Sequence, residues 1–408
     1  MPTPPVNLAH HILRGTSAPL RRVLDTALEG RELTRDDAVT LLNARGRDLQ
    51  VLCNVADIAR VEDVGDEISY VVNRNINFTN ICYVGCSFCG FSRHKHQPDA
   101  YDLGLDELVA RAAEAWQRGA SEVCIQGGIH PKKDGFWYRE ILRALQAELP
   151  EMHIHAFSPE ELHFGHLKSG GMSLRDYLRM LRDEGLGSIP GTAAEILDDE
   201  IRRKLSPRKL MTGRWLEIVR AAHEVGLRSS STLLYGHIES VHQIAAHLET
   251  LRNLQKETGG FTEFVPLGFI HPKTRLYLEQ GSRPGASMPE DLKLVAVARL
   301  FLRPWIKNVQ VSWVKMGRKM AQMGLLSGAN DFGGTLMEEL ISKEAGSEHG
   351  DHIEVYEIEQ LIWELGRKPY ERTTTYARRE PRAAASALSE VPAPGPGELG
   401  VYELGSGY

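Results

Sequence analysis

Cysteine is scarce in this chain: five residues in 408, too few and too unevenly placed for a disulfide framework. No run approaches the ~18 continuous apolar residues of a membrane-spanning helix. The opening Met1-Pro2-Thr3-Pro4-Pro5 lacks the charged-then-apolar order of a signal peptide. There is no basic surplus either: Lys and Arg number 48 against 54 Asp and Glu, a net charge of -6, which leaves no electrostatic footprint for nucleic acid. These absences predict a cytoplasmic protein with neither a membrane nor a nucleic-acid partner. The chain is 42% hydrophobic and 25% charged, ordinary for a globular protein and enough to bury a sizeable core.

Three of the five cysteines fall in one stretch of eight residues, Cys82-Tyr83-Val84-Gly85-Cys86-Ser87-Phe88-Cys89. Three thiolates are one short of the four that close a structural zinc site or saturate a cubane iron–sulfur cluster, so a metal held here keeps an open coordination position. Zinc bound by the three cysteines with His94 or His96 is one alternative, and a cluster of buried thiols is another. Cys53 and Cys124 stand apart and read as small core residues.

Residues 1–68 read as a helical extension, with Thr34 as a cap ahead of Asp36 and Asp37. From Ser69 the pattern changes to strand, turn and helix at intervals of about 30 to 40 residues, the βα rhythm of a parallel eight-stranded barrel. Strands are expected at Ser69–Thr79, Glu122–Gln126, His153–Phe157, Leu186–Ile189, Arg228–Tyr235, Phe261–Leu267, Asn308–Val314 and weakly just before Asn330. Helices are expected at Leu105–Arg118, Phe136–Glu148, Leu174–Glu184, Trp215–Val225, Val241–Glu257, Glu290–Leu302 and Thr335–Glu344. The expected division is an extension over 1–68, a barrel over 69–345, a closing segment over 346–378 with a helix His352–Leu365 and an irregular Arg367–Tyr376, and a disordered Ala-, Pro- and Gly-rich tail over 379–408. In a parallel barrel, function gathers at the C-terminal ends of the strands, which is where the cysteine loop and Gly127-Gly128 fall. Asn73, Asn75, Asn77 and Thr79 share one face of the first strand. A dry barrel is filled with branched apolar side chains, so this face argues for a polar ligand.

Several further residues are candidates. Gly127-Gly128 fits a turn using glycine's freedom at positive φ. Thr192-Ala193-Ala194-Glu195 fits either a capping box or a carboxylate reaching a ligand at the barrel mouth. His153 and His155, and Tyr235 and His237, are pairs one strand step of two apart and suit proton transfer. Glu263 lies inside an apolar strand and must be paired or bind something polar. Asn330 and Asp331 fit a turn.

The pattern C-x3-C-x2-C resembles the signature of the radical S-adenosylmethionine (SAM) superfamily. That resemblance implies a [4Fe-4S] cluster held by Cys82, Cys86 and Cys89, with SAM on its open iron and Gly127 and Gly128 beside SAM's methionine amine. The motifs Asn73–Asn80, Gln126–Pro131, His155–Glu160, Pro190–Glu195, Tyr235–Glu239 and Gly259–Phe264 extend the likeness over about residues 69–376. Together they resemble the tyrosine-using subunits of FO synthase, which makes the deazaflavin chromophore of coenzyme F-420. What the resemblance implies is a transferase that breaks the Cα–Cβ bond of L-tyrosine, releases 2-iminoacetate and joins the 4-hydroxybenzyl group to 5-amino-6-(D-ribitylamino)uracil. Glu195, Tyr235, His237 and Glu263 are its candidate acid, base and substrate-holding residues. An electron donor and a separate cyclising radical SAM subunit are implied as partners, because the chain carries one three-cysteine motif. Aminofutalosine synthase of menaquinone biosynthesis, which shares the first strand and cluster loop, is the enzyme alternative; a non-catalytic zinc protein is the alternative of another class.

Overall fold

The computed structural model describes Leu13 and residues 15–380. The expected tail lies outside the described residues from Pro381 onward, as do residues 1–12 and Arg14 of the expected extension. Among the described residues nine strands carry the fold: β1 (Ile68–Val71), β2 (Asn73–Ile76), β3 (Glu122–Ile125), β4 (His153–Ala156), β5 (Ser188–Ile189), β6 (Arg228–Tyr235), β7 (Phe261–Gly268), β8 (Asp331–Gly334) and β9 (Pro369–Glu371). Six of them form one sheet in the order β2-β3-β4-β5-β6-β7, and a second sheet runs β8-β1-β9. All the paired neighbours are parallel. Single parallel bridges, Phe264 to Val309 and Gln310 to Asp331, link β7 to β8 across the gap. Since β1 and β2 are successive pieces of one stretch, the two sheets together enclose a lumen as a TIM-like α/β barrel.

The helices cover this wall because each presents one apolar stripe to it. Leu174–Asp183 is an example. Ser173 caps it by accepting from the Asp176 amide, and Leu174, Tyr177, Leu178 and Leu181 are buried at i, i+3, i+4 and i+7. Full burial of each such side chain contributes about 1.5–3 kcal/mol, and charged arginines and aspartates fill the opposite face. In the N-terminal extension, Thr34 and Asp37 form a reciprocal capping box on the helix Arg35–Leu42. The longer helix Arg47–Val64 packs on Met288–Leu302 at the barrel's outer face.

Several expectations are corrected. The first strand does not run unbroken over Ser69–Thr79; it divides at Val72, and its two halves join different sheets. Asn308–Val314 makes bridges but no ladder. Its polar ends bond through side chains instead: Asn308 Nδ2 donates to the Thr262 carbonyl at 2.9 Å, and Asn330 Oδ1 accepts from the Val309 amide at 2.9 Å. A short helix, Trp313–Met316, then ends the run. The last barrel strand follows Asn330 rather than preceding it, and Asp331 opens it rather than forming a turn. The expected helix Thr335–Glu344 starts only at Leu340 and runs to Ala345, and His352–Leu365 is confined to Val355–Trp363. Within the stretch expected to be irregular, Pro369–Glu371 pairs with β1. Helices Pro159–Leu167, Asp199–Leu205 and Arg318–Leu325 were not legible as apolar stripes.

Candidate functional site

Strand alternation decides which side chains face the lumen. Asn73, Asn75, Asn77, Glu122, Cys124, Gln126, His155, Ser230, Thr232, Leu234 and Glu263 all line one cavity of about 400 Å³. Loops at the C-terminal ends of the strands supply its mouth, among them Cys82, Cys86, Cys89, Gly127, Gly128, Glu195 and Lys209. Cys124 is therefore a lumen residue, not a packing residue, since it alternates with Val123 and Ile125, which are buried against the outer helices.

The cysteine loop is pinned on several sides by backbone hydrogen bonds. The Cys82 amide donates to the Arg93 carbonyl at 3.1 Å, the Tyr83 amide to Ile129 at 3.2 Å and the Ser87 amide to Leu205 at 2.8 Å. Gly85 takes φ of +67° to make the reversal. Gly128 serves by close approach, not by positive φ as expected. A Cβ there would fall 2.5 Å from the Ile81 carbonyl oxygen and 3.0 Å from Cys82 Cβ, and one at Gly127 would fall 2.6 Å from the Phe78 ring.

Among the described residues no group of three or more His, Cys, Asp and Glu side chains closes around a single metal ion, and His94 and His96 are exposed. A single zinc needs its thiolates about 4 Å apart in a tetrahedron; a four-iron cluster takes each thiolate on a different iron. Burial pushes the Cys82 and Cys86 thiols upward, so thiolates at these positions need a compensating metal charge. Three cysteines opening on one cavity, beside a glycine that leaves room where a Cβ would stand, fit the cluster and its open iron.

Beside this loop, Glu195 accepts from Lys209 Nζ at 2.7 Å and lies 3.4 Å from Arg202 Nη1. No helix begins at Thr192, so the capping-box alternative fails: Asp198 caps the next helix, and Glu195 holds φ of +39°. Arg202 is fully buried and donates to the carbonyls of Ala193, Ala194 and Leu210, holding the loop so that Glu195 faces the cavity. Burial opposes the charge on Lys209, but Glu195, the Cys86 thiol and Glu160 raise its pKa above the ordinary lysine value. Its ammonium also lies 5.5 Å from the centre of the Phe88 ring. Glu161 caps Pro159–Leu167 with Ser158 and accepts from the Gly127 amide at 3.0 Å. Burial raises it to about 7.

Glu263 sits at the other end of the lumen. Tyr376 donates to it, Gln310 Nε2 donates at 3.1 Å, and Arg372 Nη2 is 3.5 Å away. Burial raises Glu263 to about 7 in spite of the arginine. His153 and His155 both bond the Ser188 hydroxyl, at 2.7 and 2.6 Å, and burial lowers His155 to about 4, against the pull of Glu122. Tyr235 and His237 are not brought to the cavity. Leu234 takes the lumen side at that step, and Tyr235 points outward, where its hydroxyl donates to Asp291 at 2.6 Å. His237 is buried beside Glu239, its Nδ1 3.0 Å from the carboxylate.

Lys209, Arg202, Glu160, Glu161, Arg372 and Lys315 were missed in the sequence. Only Ser158-Pro159-Glu160-Glu161 carried a local signal, a capping box opening with proline.

Comparison with known proteins agrees with this geometry. A model of the radical SAM superfamily matches residues 76–251, and the CofH/MqnC C-terminal region matches residues 258–385. The chain is 46% identical over 360 residues to the 5-amino-6-(D-ribitylamino)uracil--L-tyrosine 4-hydroxyphenyl transferase of Methanothermobacter thermautotrophicus, covering 88% of this chain and 98% of the relative. It is 47% identical over 377 residues to FO synthase of Streptomyces coelicolor, covering 91% of this chain and 43% of that protein, so it spans about two-fifths of the FO synthase's length. Two solved structures share the fold: methylornithine synthase (TM-score 0.68, 20% identity, 85% of this chain and 97% of that one) and the hydrogenase maturase HydG of Carboxydothermus hydrogenoformans (TM-score 0.70, 18% identity, 90% and 83%). With the three-cysteine loop at the mouth of a polar-lined barrel, and with near-complete coverage of a relative at this identity, the chain belongs to the radical SAM family of 5-amino-6-(D-ribitylamino)uracil--L-tyrosine 4-hydroxyphenyl transferases.

Proposed function

We propose that this chain joins the 4-hydroxybenzyl group of L-tyrosine to 5-amino-6-(D-ribitylamino)uracil, releasing 2-iminoacetate, on the way to a deazaflavin. The observation that carries the reading is the combination of a 46% identity spanning 98% of the named transferase with a lumen whose polar groups fit an amide-rich, hydroxylated ligand. When bound, the cluster and SAM supply the one-electron chemistry that starts the reaction.

The chain's own residues hold and orient the reactants. Cys82, Cys86 and Cys89 hold the cluster, and Gly127 and Gly128 leave space for SAM's methionine end. Asn75, Asn77 and Gln126 present amides to the lumen, and the buried Oδ1 of Asn77 has no hydrogen-bond partner among the described residues. That unpaired acceptor suits a ring N–H of the uracil. Glu195, held by Lys209, is the carboxylate that meets a polar group at the mouth; Glu263, the candidate deeper in the lumen, is held by Tyr376, Gln310 and Arg372 and shapes the floor under the ligand. Tyr235 and His237 support the wall from outside. Ring closure to the deazaflavin would fall to a second radical SAM unit with its own cysteine motif, and the cluster held by Cys82, Cys86 and Cys89 would draw its electron from an external donor. A reducing compartment, the cytoplasm, suits the thiolates; no described helix is long and apolar enough to cross a membrane.

The test is an anaerobic incubation of reconstituted protein with SAM, offering in parallel L-tyrosine with the diaminouracil and the vinyl-ether substrate of aminofutalosine synthase, read by mass spectrometry. The adduct of tyrosine's benzyl group with the uracil is expected, and Cys86→Ala abolishes it together with the cluster's broad absorption. Consumption of the vinyl ether with tyrosine untouched rejects the proposal.

A further inference from the structure

Three lysine and arginine side chains line the cavity: Lys209, Arg372 and Lys315. Two are neutralised within the protein. Lys209 is bonded to Glu195 at 2.7 Å, and Arg372 holds Asp331 with a second contact to Glu263. Lys315 differs. Its side chain makes no hydrogen bond and no ion pair with any described residue, and Glu339 and the Cys89 thiol act on it only through space. Glu339 is already engaged as the cap of Leu340–Ala345, accepting from the Ser342 amide at 2.8 Å.

Position strengthens the contrast. Lys315 lies on the four-residue helix Trp313–Met316, which Trp313 anchors through its indole N–H to the Gly334 carbonyl at 2.9 Å. Its Cβ stands 4.0 Å from where a Cβ on Gly268 would be, at the C-terminal end of β7. The lysine is thus at the mouth, on the same side as the cysteine loop. Partial burial lowers its pKa, since desolvation penalises an ammonium that has no counter-charge in contact with it. An incoming anion removes that cost.

We propose that Lys315 anchors the carboxylate of an α-amino-acid ligand at the mouth of the barrel. The proposal rests on the functional reading above, in which two ligands carry such a carboxylate: L-tyrosine and the methionine moiety of SAM. Both present the same chemistry, one carboxylate to one ammonium, a charge-assisted hydrogen bond.

The experiment measures equilibrium binding of SAM and of L-tyrosine, separately, to the anaerobically reconstituted full chain, with Lys315→Met and Lys315→Arg beside wild type. Lys315→Met is expected to weaken one of the two ligands by roughly ten- to a hundredfold, the loss of one bond to a charged group, while Lys315→Arg restores most of the affinity. If the affected ligand is L-tyrosine, tyramine, which lacks the carboxylate, binds wild type and Lys315→Met alike. If it is SAM, the tyrosine arm is unmoved. Unchanged binding of both ligands to Lys315→Met overturns the proposal. So does a change confined to the cluster's absorption, which would make the lysine a counter-charge for the thiolates. If Lys315→Met fails to take up the cluster, Lys315→Gln is measured against the same criteria. A wild-type chain that binds SAM and ignores L-tyrosine rejects the substrate reading instead, and the SAM arm still decides for or against the lysine.

Discussion

The two ends of the lumen are both polar, and they differ in how fully their charges are paired: the mouth has the Lys209–Glu195 pair and, beside it, Lys315 with no partner among the described residues. At the floor, Arg372 Nη2 donates to Asp331 at 3.0 Å and sits 3.5 Å from Glu263, Ser69 adds a hydroxyl to Asp331, and Tyr376 closes on Glu263. These groups come from β1, β7, β8 and the segment that follows β9, so the chain's last described stretch seals the barrel with its own counter-charges. At the mouth, three thiols, the Gly127-Gly128 turn and the Lys315 ammonium face the cavity, and the ammonium has no hydrogen bond or ion pair with any described residue. Buried charge satisfied from within holds a fold together; polar groups left facing a cavity are available to a ligand.

Breaking the floor has the largest expected effect on stability. Arg372→Met leaves Asp331 and Glu263 buried without their cation and costs about 3–5 kcal/mol, measured by chemical denaturation, with the cysteine loop's cluster uptake unchanged in whatever remains folded. Gly128→Ala breaks the mouth. Its Cβ would overlap the Ile81 carbonyl, and the forced backbone shift costs about 1–3 kcal/mol. SAM affinity measured by titration falls more than the melting temperature suggests. If SAM affinity is unchanged, the glycine is a packing feature alone.

Glu263→Gln sharpens the comparison through pH. Burial raises the folded-state pKa of Glu263 from an ordinary 4.5 to about 7. The folded state therefore binds this proton more tightly than the unfolded chain does. The resulting stability is fully present below about pH 4.5 and is lost as pH rises through 7. Wild type should lose stability relative to Glu263→Gln across that interval, read as the difference between two denaturation series. Parallel pH profiles contradict the assignment. The smallest effect is expected from Tyr235→Phe, which removes one hydrogen bond to Asp291 on the outer side of the wall. It costs about 0.5–3 kcal/mol and leaves the KM for both substrates as in wild type; a raised KM would place the tyrosine in the site after all.

Local pattern carried the barrel's rhythm because strands and amphipathic helices repeat at short period, and it carried the cysteine loop because all three thiols lie within eight residues. Gly127-Gly128 was legible as a turn at a strand end but not in its reason, since the ring of Phe78 and the carbonyl of Ile81 reach it from the segment that follows β2. Tyr235 and His237 read as site residues because two-residue spacing puts both on one face; which face meets the lumen is a matter of sheet closure, and Leu234 holds that side. Lys209, Arg202, Lys315 and Arg372 carried no local signal at all.

The sequence by itself determined the kind of chemistry, because three thiolates at C-x3-C-x2-C spacing constrain their cofactor within a single loop. Only the tertiary structure decided which charges are spent. Arg372 meets Asp331 across 41 residues of chain and Glu263 across more than a hundred, and Lys315 meets no partner among the described residues. Ion pairing depends on distances of a few ångströms between segments that the linear order leaves unrelated.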